Sequence, residues 1–323
     1  MELCKIHKLQ AKPLQVLPCE SEEIIHIVFC IDKNYIQHLG CAMTSVCVNN
    51  HSRNIEFHII CDELQESDLE KFSILSNLYR RCISFYLLGK DNPFKELKIS
   101  LHASPANYYR LAIPYVLSEG IHKVLYLDAD LVCNAELTDL WNTNINDFPL
   151  AACPINDQER IDKLELASGR YFNTGVMLIN LNKWMNDQVS IKAIEFIEQK
   201  PELIRFWDQD GINKIIDGGF KSLDAKWNNT IYMDRPVFRQ VEGAAIIHFV
   251  GALKPWQKCS DTRKEIYWNY LKMSPWSDAY LNRERVIEEM IIEKINFLIL
   301  SVFRKARQFK EQNQLLKKLT KAF

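Results

Sequence analysis

Between Lys123 and Asp130 the chain reads Lys-Val-Leu-Tyr-Leu-Asp-Ala-Asp, an apolar run that ends in two carboxylates separated by one small residue. With no polar face, the run specifies a strand buried on both sides, as in a parallel sheet covered by helices. In open sheets of that kind ligands collect beyond the carboxyl ends of the strands. Asp128 and Asp130 therefore stand where two hard oxygen ligands can meet a divalent ion and a phosphorylated molecule. A solvated acidic turn uses the same residues, and the tripeptide alone does not separate the two readings.

The preceding segments alternate in the same sense. Residues 24–31 form an apolar strand ending at Asp32-Lys33-Asn34-Tyr35, with a helical pattern to about 48. Residues 55–61 and 83–88 are further strands around a helix over 62–78, and helical spacing returns over 104–117 with Pro114 as a distortion. Such alternation predicts an α/β fold with a parallel, doubly covered sheet and right-handed crossovers. Neither a Gly-x-Gly-x-x-Gly nor a Walker loop follows the first strand, which removes the dinucleotide and P-loop readings. Beyond Asp130 the pattern loosens. Short strands are predicted at 150–153, 176–181 and 245–250, a helix at 192–199, and a helix opened by Asp208-Gln209-Asp210.

The 323 residues suffice for one large domain with a tail. A net charge of −1 argues against a general polyanion binder, so no nucleic-acid partner is expected. Ten cysteines include no Cys-x-x-Cys pair and several lie in apolar runs, the pattern of free buried thiols in a reducing compartment. Residues 1–19 hold no secretory signal, and the longest apolar stretch, 295–303, falls short of the roughly 20 residues a bilayer requires. A cytoplasmic protein is expected. Residues 304–323 carry seven Lys or Arg and one acid, interleaved with Phe309, Leu315, Leu316, Leu319 and Phe323. They read as a basic amphipathic helix suited to an anionic membrane surface, or as a solvated helix packed on its own domain. The expected organisation is an arm over 1–22, a main domain over 23–277 and a basic helical region over 278–323.

Transfer of a sugar from a nucleotide diphosphate needs cations for the leaving diphosphate and buried polar groups for the sugar. Candidates stand at predicted strand ends and loops: Asp32 and Asn34, Arg110, Asp128 and Asp130, Asn173, the Asp208-Gln209-Asp210 cluster, and His248 with Lys254. Each has a plainer use, as turn cap, surface ion pair or satisfied core residue.

Six segments in order resemble the motif set of the retaining glycosyltransferases of family 8: Phe29 to Tyr35, Tyr108-Tyr109-Arg110-Leu111, Tyr126 to Asp130, Tyr171-Phe172-Asn173-Thr174-Gly175-Val176, Trp207-Asp208-Gln209-Asp210, and His248 to Trp256. They span about residues 24–257. Trp227 to Tyr232 and Met273-Ser274-Pro275-Trp276 further resemble the family's bacterial lipopolysaccharide core glucosyl- and galactosyltransferases. The resemblance implies a GT-A fold, a Rossmann-like mixed central sheet with an Asp-x-Asp motif, here followed by the C-terminal helical extension. It implies Mn²⁺ (with Mg²⁺ as substitute) on Asp128, Asp130 and His248. The donor would be held by Asp32, Asn34, Arg110, Asp128, Ala129, Asn173, Asp208, Gly251 and Lys254.

The activity so implied is transfer of an α-hexose, glucose or galactose, from a UDP-sugar to a saccharide acceptor of the lipopolysaccharide outer core. The enzyme would sit on the inner face of a bacterial inner membrane, facing an oligosaccharide or lipid-linked acceptor. Gln209 occupies the position of the family's residue under the sugar. An amide is a poor nucleophile, which favours front-face substitution over a covalent intermediate and leaves Asp210 as the minority nucleophile. A self-glucosylating or glycan-priming transferase, and a non-catalytic sugar-nucleotide or glycan binding module, are the alternatives.

Overall fold

A computed structural model describes residues 24–89, 92–97, 104–117, 120–234 and 241–283. The predicted arm over 1–22 and residues 284–323 of the basic C-terminal region lie outside them. The chain separates into two compact units, Met1–Trp276 and Ser277–Phe323. Of the second, residues 278–283 are helical.

In the first unit, β1 (Ile25–Ile31), α1 (Ile36–Asn49), β2 (Ile55–Cys61), α2 (Glu66–Tyr79) and β3 (Cys82–Leu87) alternate as the sequence predicts. Six of the seven residues of β1 and of β2 are buried, because helices cover both faces of the sheet. A capping box ties α2 down: the Gln65 side chain accepts from the Asp68 amide and the Asp68 carboxylate from the Gln65 amide.

The predicted helix over 104–117 is mostly a 3₁₀ segment, Pro105–Ala112, followed by the single turn α3 (Ile113–Val116). Pro114 has no amide to donate to the Arg110 carbonyl. The Ile113 amide takes that carbonyl instead, in the tighter spacing.

Next come β4 (Lys123–Leu127), β5 (Leu131–Cys133), α4 (Thr138–Trp141), β6 (Leu150–Ile155), α5 (Gln158–Lys163) and β7 (Tyr171–Asn180). They are followed by α6 (Leu181–Asn186), α7 (Val189–Gln199), α8 (Trp207–Ile216), β8 (Lys221–Ser222), β9 (Asn229–Tyr232), β10 (Ile246–Val250) and α9 (Lys264–Lys272). One sheet has the order β3-β2-β1-β4-β7-β6-β8 and a smaller one β5-β10-β9. The main sheet is mixed and not all-parallel: β7 runs antiparallel to both β4 and β6. A run buried on both faces carries no signature of direction, so strand–helix alternation alone could not reveal the reversal.

Two features of this topology build the site. After β3 the chain returns to the other side of β1, making a switch point between the carboxyl ends of β1 and β4, where α/β sheets hold ligands. The small sheet pairs His248 of β10 with Leu131 of β5, directly after Asp130. Among the described residues the eight cysteines are all free, seven of them buried, and no helix is long and apolar enough to cross a membrane.

Candidate active site

Asp128 follows the last residue of β4, and its amide donates to the Gly175 carbonyl of β7 at 2.8 Å. Asp130 is fixed through its own carbonyl, which accepts from the Phe249 amide at 2.9 Å. These main-chain bonds aim both carboxylates at the His248 ring. Nε2 lies 3.1 Å from Oδ1 of Asp130 and 3.6 Å from Oδ2 of Asp128. One ligand atom from each of the three lies within 4.8 Å of the others.

The other ring nitrogen of His248, Nδ1, is 3.0 Å from Oδ1 of Asn228. An amide oxygen accepts there, so Nδ1 carries a proton, and a cation in the cradle would meet the Nε2 lone pair. Gly175 closes the cradle. A Cβ at that position would collide with the His248 ring and come within 2.7 Å of Oδ2 of Asp128. Two carboxylates, one imidazole oriented by a neighbour and a wall stripped of its side chain fit a divalent cation.

Charge around the cradle is paired and buried. Nζ of Lys254 lies 2.6 Å from Oδ2 of Asp130 and also donates to the Phe249 carbonyl. Burial works to raise the pKa of Asp130, but Lys254 and His248 outweigh it and hold the carboxyl well below the usual range. Arg110, only 6% exposed, is divided: Nη2 is 3.2 Å from Asp128, Nε 2.8 Å from Asp208, and Nη1 donates to the Thr174 carbonyl. Its guanidinium lies 4.5 Å from the Tyr126 ring centroid, and the Tyr126 hydroxyl donates to Asp128 at 2.6 Å.

The Arg110–Asp208 pair pulls in two directions. Burial opposes the charge on Arg110, but Asp128 and Asp208 outweigh it and raise its pKa. Burial pushes Asp208 up to about 7, against the pull of Arg110 and with the repulsion of Asp128. One guanidinium shared between two carboxylates remains charged and cannot fully offset the burial of the second.

Asn173 and Gln209 extend the network. Asn173 Oδ1 accepts from Asn228 at 2.8 Å and from the Gly175 amide at 3.0 Å, and its Nδ2 donates to Gln209 Oε1 at 3.1 Å. Gln209 Oε1 also accepts from the Thr174 amide, and its Nε2 donates to the Tyr171 hydroxyl at 2.9 Å. A continuous chain of bonds thus runs from the His248 imidazole to Gln209.

Asp210 has a separate setting. It is fully buried, and its oxygens accept from Arg160 Nε and Nη2, the Tyr171 hydroxyl and the amides of Arg205 and Phe206. Five donors on two oxygens leave no lone pair for a nucleophile. Its bonds to the Arg205 and Phe206 amides tie down the segment just ahead of α8. Asp208 is not the cap of α8, a position held by Phe206.

Asp32 and Asn34 stand beyond β1, where Asp32 Oδ1 accepts from the Asn34 amide and caps the short 3₁₀ turn Lys33–Tyr35. Asn34 is exposed and Asp32 half-buried at the switch point. Ala129, between the two aspartates, is buried. Gly251 follows β10 at φ 84°, a conformation that favours glycine, with the Tyr232 ring 3.1 Å from where a Cβ would be. The sequence assigned no role to Asn228, Gly175, Thr174 or Tyr126. Three of them lie within the quoted six-motif set, but only strand register shows what they support.

Sheet order and site together define a GT-A transferase. The chain belongs to glycosyltransferase family 8, whose model matches residues 26–260. It is 28% identical over 291 residues to the lipopolysaccharide 1,2-glucosyltransferase of Escherichia coli K12, covering 85% of each chain. To the lipopolysaccharide 1,3-galactosyltransferase of Salmonella typhimurium it is 29% identical over 273 residues, 79% of this chain and 80% of that one. Among solved structures, the galactosyltransferase LgtC in complex with donor and acceptor sugar analogs superposes with a TM-score of 0.68 at 27% identity, covering 77% of this chain and 96% of that one.

Proposed function

We propose that this chain is a retaining hexosyltransferase. It moves an α-glucose or α-galactose from UDP-hexose to a saccharide acceptor, the outer core of lipopolysaccharide, and uses Mn²⁺, with Mg²⁺ as substitute. The observation that carries the reading is the convergence of Asp128, Asp130 and His248 at the end of β4, with Lys254 on Asp130. The names of the two lipopolysaccharide relatives support the acceptor class and both hexoses.

Asp128, Asp130 and His248 would hold the ion. When bound, it supplies Lewis-acid neutralisation of the diphosphate charge. Asp32 and Asn34 contact uracil and ribose at the switch point, and Gly251 lets the backbone approach the diphosphate. Arg110, Asp208 and Asn173 hold the sugar, and Lys254 turns from Asp130 to the departing phosphate.

The bond from the anomeric carbon to the diphosphate breaks with its electron pair on the leaving oxygen. The acceptor hydroxyl forms the new carbon–oxygen bond on the same face, and its proton passes to that leaving oxygen. Gln209, clamped by Asn173, Thr174 and Tyr171, steadies positive charge through an amide oxygen and forms no covalent bond. Asp210 orients Gln209 through Tyr171 and is not the nucleophile.

The test is incubation with UDP-glucose and, separately, UDP-galactose in the presence of truncated core oligosaccharides, read by mass spectrometry. One hexose is gained with one donor, the gain is abolished by chelation and restored by Mn²⁺, and the new linkage is α. Absence of both transfer and UDP release with either donor would overturn the reading. The basic segment over 304–323 brings the enzyme to the anionic inner leaflet. Truncation after residue 283 then lowers co-sedimentation with anionic vesicles and spares UDP release; unchanged co-sedimentation refutes the membrane contact.

A further inference from the structure

The opposite end of the main sheet carries a second convergence of ligating side chains. His26 is the second residue of β1 and lies in register with Glu56 of β2, and His58 is two residues further along β2. With a period of two, Glu56 and His58 share a face, and register puts His26 on it. Nδ1 of His26 is 3.0 Å from Nε2 of His58 and 3.7 Å from Oε2 of Glu56. One ligand atom from each of the three lies within 4.8 Å of the others.

We infer that His26, Glu56 and His58 form a second divalent-metal site, of the zinc class, that clamps β1 to β2 at the amino-terminal end of the sheet. Donors of a tetrahedral zinc with bonds of about 2.0–2.1 Å stand roughly 3.3 Å apart, and the separations here bracket that value. Two imidazoles and one carboxylate suit zinc better than magnesium or calcium, which prefer all-oxygen sets.

The neighbouring strand orients two of the three ligands. The Tyr86 hydroxyl of β3 is 3.0 Å from Nδ1 of His58; accepting that proton leaves the Nε2 lone pair facing His26 and Glu56. The Ser84 hydroxyl, also of β3, donates to Oε1 of Glu56 at 3.0 Å, which leaves Oε2 for the ion. Without an ion, His26 Nδ1–H donates to the His58 Nε2 lone pair across the 3.0 Å contact; an ion would take that proton's place. His26 is half-buried and His58 buried, so the ion enters past His26 and a water completes its shell.

The full chain, dialysed free of metal, is titrated with Zn²⁺ alone, and with Co²⁺ for its visible absorption. Three proteins are compared: wild type, His26→Ala and Asp130→Asn. Wild type and Asp130→Asn show the absorption of a four- or five-coordinate cobalt centre with nitrogen ligands, and Zn²⁺ raises their Tm. His26→Ala loses the absorption, binds one Zn²⁺ fewer than wild type, keeps no more of the Tm rise than the Asp128–Asp130–His248 cradle supplies, and retains UDP release with Mn²⁺. Glu56→Gln, which keeps the Ser84 hydrogen bond, repeats the loss and stands in should His26→Ala fold poorly. Equal zinc stoichiometry and an equal cobalt spectrum in wild type and in His26→Ala or Glu56→Gln would overturn the site. Loss of the signal only in Asp130→Asn would assign it to the Asp128–Asp130–His248 cradle and overturn it too.

Discussion

Nζ of Lys254 sits 2.6 Å from Oδ2 of Asp130, so the ammonium proposed to serve the diphosphate rests on a carboxylate of the proposed metal cradle. The pair is largely buried, with side-chain exposures of 12% and 14%. An incoming divalent ion therefore competes with the ammonium for one carboxylate, and the ammonium is freed as the ion enters. Lys254→Ala separates the two roles. It is expected to bind Mn²⁺ more tightly in the absence of UDP-hexose, by calorimetry, and to lose roughly 10²–10³-fold in kcat/KM. Weaker Mn²⁺ binding in the variant would show that the lysine supports the cradle and does not compete with the ion.

Asn228 makes a different kind of contribution, since it would act on an ion in the proposed cradle only through His248. Its oxygen holds Nδ1–H at 3.0 Å and its amide donates to Asn173. Asn228→Ala frees the ring to change tautomer and rotate. Mn²⁺ affinity is expected to fall about 10–100-fold, and Asn228→Asp to recover most of it by accepting the same proton. A variant that loses turnover with its Mn²⁺ affinity unchanged would place the role of Asn228 elsewhere.

Much of this site was legible in the sequence because the chemistry restricts residue type. Asp128 and Asp130 end an unmistakable buried strand, and Arg110, His248 and Lys254 stand in segments that resemble family motifs. The supporting residues are a different matter. Gly175 matters because β7 runs antiparallel to β4 and carries it beside His248, and Asn228 because it precedes the strand that pairs in parallel with β10. Both facts are strand registers between distant segments, which local pattern does not encode. Asp208 and Asp210 show the limit from the other side. They are the same residue type two positions apart on α8, yet one turns to Arg110 and the other to Arg160.

That divergence is open to test at Asp210. Arg160 is 3% and Asp210 0% exposed in side chain, at 2.8 Å. Asp210→Asn leaves a buried guanidinium without its counter-charge, at a cost of about 3–5 kcal/mol. A matching fall in the urea midpoint is expected, with residual turnover in the folded fraction and no glycosyl-enzyme adduct in wild type or variant by mass spectrometry. A trapped sugar on Asp210 would restore the covalent route. A stable but wholly inactive variant would refute the structural role given to this carboxylate.

His38 carries the last prediction, one of pH. Its ring stacks on Trp256 with centroids 3.5 Å apart, and Nδ1 is 2.7 Å from the Tyr267 hydroxyl. Burial pushes its pKa down to about 3, from an ordinary value of 6.5. The native ring is thus neutral at pH 5, where the unfolded one is protonated. The unfolded state binds the extra proton, so the contribution of His38 is fully present above pH 6.5 and is lost progressively as pH falls towards 3. Within that window one such group steepens the fall by about 1.4 kcal/mol per pH unit. His38→Phe keeps a ring against Trp256 but cannot titrate. It forfeits the Tyr267 hydrogen bond, so it is expected to be less stable than wild type at pH 8 and to lose less further stability between pH 6 and pH 4. Urea midpoints across that range decide the matter: parallel curves for the two proteins would mean that His38 binds its proton equally well in the native state.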